Sequence, residues 1–299
     1  MTGHGAGTAV RGPAVARRLG WLLGTVCALA LLGPSAPSRG AGPLGETGWL
    51  RIATWNMCGV RQWNCQDTGN RGEKIRALKR LAEVDDARVV MLQEVCSGDL
   101  ETARRELGRG WRSVFRPYAY REASGRRTAV ACAEDGQGPA GLAILAASPL
   151  TRVSVPDAQQ PAVGLHRGIV CAAVATPEVR VCNAHLSLPG SDLEHPGWEF
   201  RDDQLRALVG AADGRTVFGG DLNSAPPATG GGSRIWPDAV YGRYRECDQT
   251  SLASREGRPT LLSGDKVDYL FTALPRTGCS VRTTGASDHR ALLLGIAAG

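Results

Sequence analysis

Five apolar runs in this chain end in, or carry, a polar residue of a type that does chemistry. They are T-W-N ending at Asn56, L-Q-E ending at Glu94, C-N-A-H-L with Asn183 and His185, F-G-G-D-L-N with Asp221 and Asn223, and K-V-D-Y-L with Asp268. A sixth place, S-D-H at residues 287 to 289, precedes the last apolar run. A buried strand has no packing reason to end repeatedly in such groups, because each is costly to remove from water. Strand ends gathered at one edge of a sheet, however, can aim them into a common cleft. Singly, each has an ordinary reading: Asn56 and Glu94 as loop residues, Asp221 and Asn223 as an Asx turn ahead of Pro226, and Asp288 as a turn former. Jointly they constrain the chain to a fold that brings six distant segments together.

The rest of the pattern supplies such a fold. From Gly72, E-K-I-R-A-L-K-R-L-A-E-V has apolar residues at 75, 78, 81 and 82, which is helical spacing. S-G-D-L-E-T-A-R-R-E-L-G predicts a short helix with Asp99 as its cap and Gly108 as its stop. A third helix is expected around 199–211, just before T-V-F-G-G. Further strands are expected at G-L-A-I-L-A-A-S, in a hairpin over 169–174 and 179–186, and at R-A-L-L-L-G-I. Strands and helices mix, with hairpins as well as crossovers, so sheets covered by helices are expected in one α/β domain over residues 48–299. In extended conformation Asp221 and Asn223 would point the same way, as would Asn183 and His185.

The N-terminal 40 residues read differently. Arg11, Arg17 and Arg18 precede an apolar stretch of 14, Leu19 to Leu32, followed by small residues and prolines. This is the layout of a secretory signal, too short for a comfortable membrane span. No later segment is apolar enough to span a membrane, and the mature chain is expected to be secreted and monomeric. The formal charge of +6 misleads, since residues 1–40 hold four Arg and no acid, and the remainder nets only +2. A general polyanion argument from charge fails. A local one survives in residues 104–127, where eight Arg face only Glu106 and Glu122. A solvated helix and loop would look the same.

Eight cysteines follow the signal: Cys58, Cys65, Cys96, Cys132, Cys171, Cys182, Cys247 and Cys279. No C-x-x-C occurs, which argues against structural zinc. An even count in an exported chain reads as disulfides. Pairing sequence neighbours gives Cys58–Cys65, Cys96–Cys132, Cys171–Cys182 and Cys247–Cys279. The best supported is Cys171–Cys182, because a hairpin turning at Thr176 and Pro177 sets these two residues opposite one another.

Acids and amides at strand ends are hard oxygen ligands suited to Mg²⁺, Mn²⁺ or Ca²⁺. Histidines beside them can contact a phosphate or exchange protons with it. That combination suits phosphate-ester hydrolysis. With T-W-N-M, L-Q-E-V, N-A-H-L, G-G-D-L-N, K-V-D-Y-L-F and S-D-H in this order, the chain resembles the endonuclease/exonuclease/phosphatase superfamily, from about Ile52 to Leu294. The resemblance implies a four-layer α/β sandwich, with two packed mixed sheets and helices outside. It implies Glu94 as main metal ligand, with Asn56 and Asp288 assisting. Asp221 and Asn223 would orient water and phosphate, and His289, polarised by Asp268, would contact phosphate or move a proton. His185 would be a second phosphate-facing histidine, and Arg167 in L-H-R-G-I-V a phosphate ligand. Asp221 and His289 both stand as candidates for the base.

One departure is Cys96, where deoxyribonuclease I carries an Arg two residues after its metal-binding Glu. His185 is more similar to the nuclease, sphingomyelinase and phosphatase branches than to abasic-site repair enzymes. The substrate expected is a phosphate ester, nucleic acid ahead of lipid headgroups or small phosphates, with a non-catalytic binding protein as the remaining alternative. Lipid-active relatives often carry an exposed apolar hairpin. The nearest candidates here are W-N-C-Q at 63–66 and R-I-W-P at 234–237. His195 is expected to be an ordinary loop residue, and His166 a candidate to line the cleft beside Arg167.

Overall fold

The computed structural model describes residues 48–63, 65, 68–227 and 235–298. The expected signal segment lies outside them. In chain order the first elements are β1 (Trp49–Asn56), α1 (Arg71–Glu83), β2 (Val89–Cys96), α2 (Ser97–Leu107), β3 (Arg112–Pro117), β4 (Ala119–Arg121), β5 (Arg127–Ala129) and β6 (Ala140–Ala146). There follow β7 (Leu150–Ser154), β8 (Gly164–His166), β9 (Gly168–Ala175), β10 (Glu178–His185), α3 (Arg201–Gly210) and β11 (Thr216–Asp221). The last are α4 (Asp238–Arg243), β12 (Arg245–Glu246), β13 (Asp268–Thr272), β14 (Arg276–Arg282) and β15 (Ala291–Ala297).

Two six-stranded mixed sheets result, in the orders β14-β15-β1-β2-β6-β3 and β12-β13-β11-β10-β9-β7. Each contains one parallel pair, β1–β2 in the first and β10–β11 in the second; the other pairs are antiparallel. Parallel neighbours need a long crossover, and α1 and α3 lie within those two connections. The strand period of two then builds the layers. On β1, Leu50 and Ile52 face the second sheet, meeting Val181, Val217 and Leu270, while Ala53 and Trp55 pack on Leu78 and Leu81 of α1. On the far side Phe218, Tyr269 and Phe271 pack against Leu205 and Leu208 of α3 and Tyr241 of α4. The order helix, sheet, sheet, helix is the four-layer arrangement expected.

Local chemistry explains the helix starts. Asn70 caps α1 in a reciprocal box, its side chain accepting from the Glu73 N–H at 3.1 Å while Glu73 accepts from the Asn70 N–H at 2.7 Å. Asp99 is not the cap of α2, contrary to expectation. Cys96 occupies that position, and Asp99 lies buried in the first turn, paired with Arg71 and accepting from Gln137 at 2.8 Å. Gly108 does end α2, at φ +98°.

All four expected disulfides form: Cys58–Cys65, Cys96–Cys132, Cys171–Cys182 and Cys247–Cys279. Cys171 and Cys182 sit directly opposite in the β9–β10 ladder, whose two-residue turn is Thr176 and Pro177. Cys96, at the end of β2, holds Cys132 in the segment between β5 and β6. Cys247, just after β12 of the second sheet, is joined to Cys279 in β14 of the first, so this bridge fastens the two sheets at one margin. The disulfides are consistent with an oxidising, extracytoplasmic location. Among the described residues no helix is long and apolar enough to cross a membrane. The tryptophans of the two apolar candidates for membrane contact pack inward. Trp63 packs 5.9 Å from the Tyr118 ring, and Trp236 is buried against Tyr269; Asn64, Gln66 and Arg234 lie outside the described residues.

Candidate active site

The carboxyl ends of the two parallel pairs open onto the same edge of the sandwich, the place where open α/β sheets present ligands. Asn56 stands level with Gln93 in one pair, and His185 level with Asp221 in the other. Along these strands the inter-sheet face changes from apolar to polar. Beyond Met91 and Val181 come Thr54, Gln93 and Asn183, joined by Gln93 Nε2 donating to Thr54 Oγ1 at 3.0 Å and to Asn183 Oδ1 at 2.6 Å. Asn183 in turn donates to the Leu92 and Ala143 carbonyls. The next layer outward is the site.

Glu94 reaches it by a bulge. The β2–β6 register shifts between Leu92 and Val95, and Glu94 takes a left-handed φ of +50°. Bulges of this kind re-aim one side chain, and a non-glycine residue there must be held by its surroundings. Its N–H donates to Tyr118 Oη at 3.1 Å, and its carbonyl accepts from the Gly59 N–H at 3.0 Å. A Cβ on Gly59 would stand 2.4 Å from that carbonyl, so only glycine fits.

Asp221 ends β11 after Gly219 and Gly220, whose φ angles are +152° and +123°. An added Cβ would lie 1.9 Å from the Tyr269 carbonyl at the first and 2.0 Å from that of Ala184 at the second. The glycines thus admit neighbouring backbone. Asn223 does not continue the strand as expected. It is left-handed at φ +47°, its N–H donates to Asp221 Oδ1 at 2.9 Å, and its side chain donates to the Leu186 carbonyl at 2.8 Å. This is an Asx turn, so Asn223 reaches the cleft by turning rather than by alternation.

Asn56 joins the two sheets. Its Nδ2 donates to Glu94 Oε1 at 3.1 Å and to Asp221 Oδ2 at 3.0 Å, while its Oδ1 accepts from the Cys58 N–H at 2.9 Å. Asn56 thus acts as a donor clamp between two carboxylates, its own carbonyl accepting from the backbone. The final loop is fastened just as closely. Ser287 donates to the Asn56 carbonyl and accepts from the His289 N–H. The Trp55 indole donates to the His289 carbonyl at 3.2 Å. Lys74, 3 % exposed, donates to the carbonyls of Met57, Thr68 and Ala286, tying three segments together beside Asp288.

The two histidines differ in charge state, His185 neutral and His289 charged. Tyr118 Oη accepts from Glu94, so its own proton goes to His185 Nδ1, 2.7 Å away. That leaves the Nε2–H of neutral His185 toward Asp221 Oδ2 at 3.4 Å. Burial holds His185 well below its ordinary pKa, helped by the positive Arg167 and His289. Burial also opposes charge on His289, but the Asp268 carboxylate at 2.9 Å, with Asp221 and Asp288 beyond, overrides it and pushes the pKa up to about 10. Burial raises Glu94 and Asp221 above the usual carboxylate range, although Asn56 and His289 partly offset it.

Glu94, Arg167, His185, Asp221, Asn223, Asp288 and His289 line one cleft of about 540 Å³, within the range of small-ligand sites. Asn56 and Asp268 stand buried just behind it. Arg167 lies 5.7 Å over the Trp63 ring, and its Nε is buried without a partner among the described residues. Cys58 and Cys65 also lie beside Glu94, but as a disulfide they offer no thiolate to a cation. The carboxylates do fit one: among the described residues Glu94 has no cationic partner within bonding distance, and Asp288 shares its cleft. Sequence reasoning missed Tyr118, Lys74 and Gln93. His166, a candidate to line the cleft, lines a separate groove instead.

The family model described as "Endonuclease/Exonuclease/phosphatase family" matches residues 53–289. The chain belongs to this family. Its class is therefore phosphoester hydrolysis. No curated protein sequence matches the chain. Among solved structures, the human Nocturnin catalytic domain with bound sulfate is similar at a TM-score of 0.58 and 14% identity, covering 83% of this chain and 92% of that one. A humanized D. rerio TDP2 gives 0.55 at 14%, covering 83% and 99%. An AP endonuclease from Archaeoglobus fulgidus gives 0.53 at 16%, covering 82% and 98%. These likenesses establish the fold of this family member.

Tyr118 gives the family site a test. Tyr118→Phe removes the hydroxyl that fixes both the Glu94 backbone and the His185 tautomer, and leaves two buried groups short of a partner. We expect a loss of roughly 10–100-fold in kcat/KM, from about 1–3 kcal/mol for such a deletion. Circular dichroism should be unchanged. Wild-type activity in this variant would show that the hydroxyl positions nothing.

Proposed function

We propose that this protein is an exported, divalent-metal-dependent phosphodiesterase acting as a monomer on nucleic acid, with residues 48–299 as its catalytic domain. The observation that carries the reading is the pair of histidines around Asp221, one neutral and one charged, facing an Arg167 nitrogen that has no partner among the described residues. Charged His289 and Arg167 would bind the phosphate oxygens and stabilise developing negative charge. A cation held by Glu94 and Asp288 would supply further positive charge against those oxygens. Asp221, with its pKa raised by burial, is better placed than a protonated His289 to accept a proton from the attacking water. His185 Nε2–H and the Asn56 amide fix the orientation of that carboxylate.

A second reading has one observation in its favour. The loop from Leu186 to Phe200 exposes Leu188, Leu193 and Trp198, and two of these, Leu188 and Leu193, line the cleft. An apolar rim would suit a lipid phosphodiester. The deciding experiment incubates the oxidised protein with supercoiled plasmid, RNA, sphingomyelin and phosphoinositides in Mg²⁺, Mn²⁺ or EDTA. Nicking or RNA cleavage that stops in EDTA is expected. Hydrolysis of the lipids alone would move the assignment to the second reading, and no metal-dependent hydrolysis of any of them would sink both.

A further inference from the structure

The Arg-rich stretch does not behave as one patch. Arg104 and Arg105 pair with Glu101 on α2, and Arg126 pairs with Glu122. Arg121 and Arg127 have no acidic partner within 4 Å among the described residues. They sit opposite each other in the small sheet β5-β4-β8. Strand alternation gives that sheet two faces. Tyr120 and Leu165, paired in register, line the catalytic cleft. Arg121 and His166, each the next residue along its own strand, line a second groove of about 410 Å³, together with Arg127 and Arg116. The thin sheet is thus a wall between the cleft and a basic groove.

Four observations bear on what the groove could hold. Three guanidinium groups converge on it, against Asp157 as its one acidic lining residue. Convergence of like charges is unfavourable unless an anion relieves it. Arg116 is fixed there, donating to the Arg167 carbonyl, and its guanidinium fills the space above Gly168, 2.5 Å from where a Cβ would stand. His166 is held neutral by burial, with the three arginines adding to the effect, and is anchored on the Pro161 carbonyl at 2.7 Å. Finally, residues 166 to 168 alternate across the wall, with Arg167 facing the cleft and its neighbours the groove. Two basic positions are thus linked through consecutive residues.

We propose that this groove binds a second phosphate of a polymeric substrate, so that a nucleic-acid backbone crosses the edge of the small sheet from the cleft. The inference rests on the nucleic-acid reading above. Phosphate contacts of this kind release counterions, and each one lost lowers the slope of log affinity against log salt by about 0.7–0.9. The groove would position the strand without reading its bases.

The test uses full-length oxidised protein and a labelled single-stranded oligonucleotide, with binding followed by anisotropy in EDTA over a salt series. Arg121→Ala/Arg127→Ala is compared with Arg104→Ala/Arg105→Ala, which removes the same charge from α2. The groove variant is expected to bind at least several-fold more weakly, with a salt slope reduced by about 1. Its turnover of bis(4-nitrophenyl) phosphate should equal wild type, since neither arginine lines the cleft. Equal affinity and slope in the two double variants would overturn the groove. Binding lost only in the groove variant, with no cleavage by wild type in Mg²⁺ or Mn²⁺, would keep the groove and sink the nuclease reading. Cleavage with unaltered binding in the groove variant would do the reverse.

Discussion

His289→Ala is expected to lower kcat by about 10³-fold with little change in KM for a small diester, because general acid and charge-stabilising donors act mainly in the transition state. The structure gives this residue its charge as well as its place. Asp268 accepts from Nδ1 at 2.9 Å and is itself fully buried, so the imidazolium and the carboxylate are each other's nearest counter-charge. In metal-free protein the His289 pKa stands raised from 6.5 to about 10. The sign follows from linkage. The stabilisation from the charged pair is fully present below about pH 6.5 and is lost as pH rises through about 10. Imidazole proton resonances of His289 should therefore show no titration between pH 6 and 8. In Asp268→Asn the titration should fall well below the wild-type value, and activity should decline at lower pH on the alkaline side. A wild-type His289 that titrates near 6.5 would remove the charged-donor role.

Glu94→Gln should be the most damaging single change for activity, with a loss of at least about 10³-fold in kcat/KM, and yet should not destabilise the metal-free fold. Glu94 is a buried carboxylate whose pKa is raised, by burial first. A raised acid contributes stability below its unfolded pKa and loses it as pH climbs through the folded value. At neutral pH the charge is therefore unfavourable, and Gln avoids it while still accepting from Asn56. The two proteins should separate when a cation is added. Mn²⁺ should raise the melting temperature of wild type, as any ligand of the native state does, and leave Glu94→Gln almost unchanged. An equal shift in both would show that the cation binds without Glu94.

The parts of this site that a reader of the sequence can find are those whose residue type clashes with their setting. Asp221 after V-F-G-G and Glu94 after V-V-M-L-Q are polar groups where burial is otherwise continuous. The disulfides are equally legible, because hairpin register sets Cys171 against Cys182 and the other pairs join sequence neighbours, Cys58 to Cys65, Cys96 to Cys132 and Cys247 to Cys279. Tyr118 is not legible. Its value comes from standing between Glu94 and His185, 24 and 67 residues away, and nothing in R-P-Y-A-Y marks it. The orientation of Asn56 is hidden for another reason, since an amide can present an acceptor or a donor and only the Cys58 N–H decides. Asn223 misleads because the strand stops at Asp221, where the aspartate's own side chain starts the turn. His166 is drawn toward the cleft only by its neighbour Arg167 in a linear reading, although consecutive side chains point to opposite sides of the backbone and the two line different cavities.

The Asn56 amide reaches Glu94 in its own sheet and Asp221 in the other, and His289 leads into β15 of the first sheet while bonding Asp268 of the second. Neither sheet owns a complete set. A slip of one sheet over the other by a single residue, about 3.3 Å, would part the Asn56–Asp221 and His289–Asp268 contacts while leaving both sheets intact. The reaction centre is thus a gauge of shear between two slabs, and whatever loosens the apolar layer between them, however far from the cleft, will be felt there first.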